Sequence, residues 1–174
     1  NAVLLDVDLK RASLRNLTEL RHVKRVHANF NISAQRSVSP SQLSADESAT
    51  PSVSPSKPAL NATYGLTQIN APSAWTEFDT QGSGTTVAVL DTGVDTRNHT
   101  SLSVSADGWK DFVNNRSHPY DNNGHGTHVS GTIAGGKTQT GDHYGVAPNT
   151  TLVHGKVLDS SGSGSFADIL TAME

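Results

Sequence analysis

The 174-residue chain has no cysteine, which excludes disulfides, thiolate nucleophiles and zinc sites that need a sulfur ligand. It also has no apolar run near the roughly 20 residues that cross a bilayer. Aromatic residues make up 5% of it and charged residues 17%, against 34% hydrophobic. That balance predicts a soluble, rather polar protein with one core, or one core plus an appendage. Asn1 is not followed by the basic and apolar regions of a signal peptide, so any signal peptide is expected to lie upstream or to be absent.

Charge is unevenly spread. Residues 1–36 carry seven Lys/Arg against three Asp/Glu, whereas 61–174 carry five against eleven. A basic head and an acidic body are expected to attract each other. The basic residues are scattered and Phe30 is the only aromatic among them, which argues against nucleic acid as a partner. Six N-x-S/T sequons, at Asn16, Asn31, Asn61, Asn98, Asn115 and Asn149, suit an exported protein.

Three segments follow from composition and period. In residues 1–32, Val3, Leu5, Val7 and Leu9 alternate as in a strand. Leu14, Leu17 and Leu20 then make a helical stripe behind a Ser13 cap, and Val26, Ala28, Phe30 and Ile32 alternate again. This is part of a small α+β domain, too short to be stable alone. Residues 33–59 are rich in Ser and Pro, lack aromatics, and read as a disordered linker. From residue 60, α/β order sets in. A capped short helix is predicted at Asn70–Trp75, and a buried parallel strand at Thr85–Leu90 ending on Asp91. A helix at Thr127–Ala134 stopped by Gly135-Gly136, a strand at Leu152–Leu158, and a Ser165-capped helix with a Phe166, Ile169, Leu170, Met173 stripe complete the pattern. No C-terminal helix signal precedes Glu174, so the expectation is a chain cut at both ends.

The stretch Gly124-His125-Gly126-Thr127-His128 carries the most chemistry. Its histidines are three apart with no Glu between them, unlike a zinc helix with histidines four apart. His99, His118, His143 and His154 offer no recognisable third ligand. His128 reads as a packed helical neighbour. His125 stands at a loop-to-helix junction between two glycines, which permit close approach of another segment, and so reads as a base. Asp91, at the carboxyl end of a strand where open α/β sheets build their sites, is the candidate that would orient it.

The motifs "VAVLDTGVD", "NGHGTHVSGTIAG", "YGVAP" and "KVLDSSGSGS", with the lead-in "YGLTQINAPSAW", resemble the N-terminal part of the catalytic domain of subtilisin-like serine peptidases. The resemblance covers about Tyr64 to Glu174. It implies a doubly wound, mostly parallel α/β sheet, incomplete here, and a secreted serine endopeptidase made as a zymogen. It makes Asp91 the orienting acid, His125 the general base, and Leu158, Gly162, Ser163, Gly164 and Phe166 parts of a substrate cleft whose edge pairs with an extended peptide. The implied partners are polypeptide substrates and the chain's own propeptide in cis or trans, the latter resembled by residues 1–32. Neither nucleic acid nor membrane is implied.

Two departures stand out. The nucleophile motif G-T-S-M-A and the oxyanion-hole Asn do not occur in these residues, so the expectation is a chain inactive alone, with both supplied beyond Glu174. Catalysis needs no cofactor. A structural calcium is not supported, because Ser101 and the loop "GGKTQTGDHYG", with its Lys137, stand where many relatives place oxygen ligands. The rival reading is a catalytically dead binding or inhibitory protein on the same fold.

Overall fold

The computed structural model describes residues 31–33 and 60–174. The expected strand at 2–9, the helix around Leu17, most of the second strand and all but Ser33 of the linker lie outside the described residues. Ser33, assigned to the linker by composition, is the last residue of a short strand β1, Asn31–Ser33.

Two helices open the main body: α1, Tyr64–Gln68, and α2, Ala71–Phe78. Leu66, Ala71 and Trp75 form a small core between them, and the Trp75 indole donates to the Val146 carbonyl at 2.9 Å. Asn70 does not cap α2 through its side chain, as the sequence suggested. It takes a left-handed φ of 57° and donates its N–H to Thr67 O. It thus closes α1, a role Asn tolerates, while Pro72 supplies the preset φ of the next helix start.

A three-stranded parallel sheet follows, ordered β2 (Thr86–Asp91), β4 (Thr151–Lys156), β3 (Trp109–Asp111). Helix α3, His125–Ala134, covers one face. Val89 and Leu152 of the sheet join Val94, Leu102 and Ala134 in the main core, with Trp109, Val129 and Ile133 packed around them. On the other face, a Cβ at Gly155 would meet Leu90, Phe112 and Ala172. That glycine lets the end of α4, Phe166–Ala172, approach the sheet. β2 is less buried than its apolar run suggested. It is an edge strand of this sheet, and Thr86 and Ala88 stay exposed on the face away from α3.

Helix α3 begins two residues earlier than its pattern indicated, so His125 lies in its first turn behind Gly124 at φ 99°. Gly135 ends it without a left-handed cap, at φ −63°. Its need for glycine is space, since a Cβ there would lie 1.9 Å from the Tyr144 ring. Ser165 caps α4 as expected, accepting from Asp168 N–H at 3.1 Å. The short β5, Ser163–Ser165, pairs antiparallel with β1, in the register Ile32 to Gly164. Among the described residues no helix is long and apolar enough to cross a membrane.

Candidate active site

The site grows from the carboxyl end of β2. Asp91 is its last residue, 7% exposed, and one oxygen accepts the Thr92 N–H at 2.6 Å. The chain then turns away at Gly93, φ 120°, where a Cβ would stand 2.0 Å from Tyr120 O. That crossing brings the segment before α3 against the strand end: Val94 N–H donates to Tyr120 O at 3.2 Å.

Asp121 organises this segment. Its oxygens accept from the N–H groups of Asn123, Gly124 and Thr127, at 3.0, 2.9 and 2.9 Å, and from the Thr127 hydroxyl at 2.6 Å. They also accept from Thr92 Oγ1 at 3.0 Å, whose oxygen in turn receives the Gly126 N–H at 2.9 Å. Partial burial pushes the Asp121 carboxyl up, but the bonds from Gly124, Thr127 and Asn123 outweigh it and hold it below the ordinary carboxylate range. A negative charge beside the first N–H groups of a helix is favourable.

This scaffold sets His125 against Asp91. The imidazole Nδ1 lies 2.8 and 2.9 Å from the two carboxylate oxygens. The pair is only partly covered, with side-chain exposures of 24% for His125 and 10% for Asp91. Gly126 is what allows the approach, since a Cβ there would fall 2.2 Å from Gly93 O and 3.1 Å from Asp91 Cβ. The arrangement can fix one tautomer, with Nδ1–H donated to the carboxylate and Nε2 left to exchange a proton.

The expected substrate edge starts at the same strand end. Val157 and Leu158 both donate their N–H to Asp91 O, at 2.9 and 3.1 Å. Asp159 then folds the turn by accepting from Ser161 N, Ser161 Oγ and Ser163 N. Gly162 supplies a positive φ of 79°. Gly164 has no room for a side chain, because a Cβ would stand 2.1 Å from Val157 O. Phe166 opens α4, half-buried. Asn123 ties the turn to the histidine loop by donating to Ser160 O at 3.0 Å. So Asp91 and His125 meet directly, and Leu158 is bonded to the same strand end. Ser163 and Gly164 lie in β5, which β1 pairs with, and Gly162 lies in the turn just before it.

His128 differs from its expected role. It is exposed and not packed, because the face of α3 that carries it turns away from the sheet. It lines a cavity of about 500 Å³ with Asp95, His99, Leu102, Thr132 and Tyr144. Among the described residues no three His, Cys, Asp or Glu side chains converge to hold a metal. At the positions compared with a family calcium site, Ser101 Oγ is bonded to Tyr144 OH at 2.8 Å, and Lys137 stands in the loop after α3. Asp121 and Thr92 were not singled out from sequence. An acid ahead of Asn-Asn-Gly, just before a helix, is the turn signal that marks Asp121.

A model of the Subtilase family matches residues 82–174. The chain is 45% identical over 94 residues to Serine protease AprX of Bacillus subtilis (strain 168), covering 53% of this chain and 21% of AprX. It is 43% identical over 117 residues to Subtilisin of Bacillus pumilus, covering 67% of this chain and 41% of that protein. With Thermitase of Thermoactinomyces vulgaris it shares 41% identity over 106 residues, 61% of this chain and 37% of that protein. The chain therefore spans well under half the length of these relatives. With its family model covering more than half of its residues, the chain belongs to the subtilase family.

Proposed function

We propose that these residues supply the acid and base of a secreted serine endopeptidase whose nucleophile and oxyanion donors lie in sequence outside them. The carrying observation is the Asp91–His125 contact at 2.8 and 2.9 Å, built where β2 ends and α3 begins. Asp91 holds the imidazole by accepting its Nδ1–H. His125 Nε2 takes the proton of the serine hydroxyl as its oxygen bonds to the scissile carbonyl carbon. The same proton then goes to the leaving amine as the C–N bond breaks. Leu158, Gly162, Ser163, Gly164 and Phe166 bind the polypeptide substrate as one wall of the cleft, by strand addition. No cofactor enters these steps.

Residues 1–32 act as the end of an inhibitory propeptide, 33–59 join it to the enzyme, and 60–174 begin the catalytic domain. The pairing of Ile32 with Gly164 supports this reading, since it seats the propeptide end on the proposed substrate edge. The test is His125→Ala in the full-length protein, followed on a gel with N-terminal sequencing. Removing a triad base costs several orders of magnitude in rate, so the precursor is expected to accumulate uncut. The wild type is expected to cut itself after Ile32 and before Tyr64. Normal processing of the variant, with no added protease, would refute the assignment.

A further inference from the structure

Lys156 ends β4, the middle strand of the sheet, and is flanked in register by Asp91 of β2 and Asp111 of β3. It has no exposed surface at all, which is uncommon for a lysine without an ion pair. Its ammonium group has three N–H donors, and three oxygens receive them. Thr92 O lies at 2.5 Å, Leu158 O at 2.7 Å and Asn122 Oδ1 at 3.0 Å. The Tyr120 ring stands 5.2 Å from the charge, near enough for a cation–π attraction.

These acceptors do not belong to one loop. Thr92 is the residue after Asp91. Asn122 belongs to the segment that launches His125. Leu158 leads into the Asp159 turn that precedes β5, the strand that pairs with β1. No other described side chain bonds to all three. We infer that Lys156 is a positioning residue, a three-way tether that holds acid, base and substrate edge at fixed separations. The inference rests on the peptidase reading for its kinetic consequence, but not for its geometric one.

Burial pushes the Lys156 ammonium toward lower pKa, opposed by the field of Asp111, Asp121 and Asp159. Those carboxylates do not touch it. Their bonds go to backbone N–H groups and hydroxyls, as at Asp121, so the three tether bonds are its only hydrogen bonds among the described residues. A lysine suits this better than an arginine, because three donors on one tetrahedral nitrogen can diverge to three separate loops, whereas a guanidinium is a flat fork.

The test is Lys156→Met in the full-length protein, which keeps the stem's bulk and removes all three donors. Misplacing reacting groups by about an ångström costs up to about 100-fold in rate. We expect kcat on a peptide ester to fall about 10- to 100-fold, with KM changed less than about threefold. The downfield proton NMR signal of His125 Nδ1–H, bonded to Asp91, should broaden or vanish while thermal unfolding stays cooperative. A variant removing a merely structural contact would lower the unfolding temperature and leave that signal in place. Lys156→Arg should not restore kcat. Asn122→Ala, at an exposed position, releases only the histidine arm and should show the same signature at smaller size. A folded Lys156→Met protein with kcat within about twofold of wild type and an intact proton signal overturns the inference. If Lys156→Met does not fold, an unchanged signal and kcat in Asn122→Ala overturn it. Should the wild-type protein fail to react with a fluorophosphonate, the peptidase reading is what fails, and the proton signal alone then decides the tether.

Discussion

His154 gives the chain an acid weakness that can be worked out from its surroundings. The residue is 2% exposed, in mid-strand beneath α3. Its Nδ1 lies 3.1 Å from the buried Ser130 hydroxyl, and its ring stacks on Trp109 at 6.0 Å between centroids. Nε2 is buried and finds no hydrogen-bond partner among the described residues. Burial lowers its pKa from 6.5 to about 4, with Asp91 and Asp121 pulling upward and Lys156 downward. The folded protein thus keeps the ring neutral where the unfolded chain protonates it. Its contribution is complete above the unfolded value of 6.5, and stability falls with pH until about 4. The whole difference is worth about 3 kcal/mol, of which about 2 kcal/mol falls between pH 7 and pH 5. The buried carboxylates act elsewhere on the scale. Asp111 and Asp121 are held below the ordinary 3.8, so what they contribute is present above that value and lost only at lower pH. The assay is urea unfolding near pH 7 and near pH 5, in full-length protein carrying His125→Ala to prevent self-digestion. His154→Gln, added to that background, should remove about 2 kcal/mol of the pH dependence while leaving its own fixed cost at both pH values. If both proteins lose stability in parallel over that window, His154 is not the group that charges on unfolding.

Other expectations follow from the same geometry. Gly126→Ala should cost more than about 2 kcal/mol and block processing, because the added carbon meets Gly93 O and Asp91; calorimetry and a processing gel check it. Asp121→Asn should lose about 1–3 kcal/mol in urea unfolding and slow self-processing, since an amide cannot accept on both sides as the carboxylate does. His128→Ala, at an exposed position, should change stability by less than about 0.5 kcal/mol and leave processing on the gel near wild type.

What could be read from the sequence was mostly local. A strand ending in Asp91, a histidine set between glycines ahead of a helix, and a Ser165 cap each carry a short-range signature. The structure places all three within a residue or two of expectation. What escaped depends on partners far apart in sequence. Nothing near Lys156 says that its charge would meet Thr92, Asn122 and Leu158, and nothing near Ser130 announces His154. The exposure of Ala88 and of His128 was misjudged for a related reason. Apolar content and periodicity show what a residue is suited to, but which face is covered depends on where other segments run. Asn70 was misread because one residue can serve the end of one helix and the start of the next.

The β1–β5 pairing has a consequence for competition. Ser33 and Ser163 face each other, 130 residues apart in one chain. An edge occupied by its own chain meets that occupant at an effective concentration, on the order of millimolar for a short tether, rather than at the concentration in solution. A free peptide that bound this edge no more tightly than residues 31–33 would have to exceed that value to displace them. Cutting between 33 and 60 changes no contact in the pair, yet it turns the occupant into an ordinary ligand that dilution can carry away.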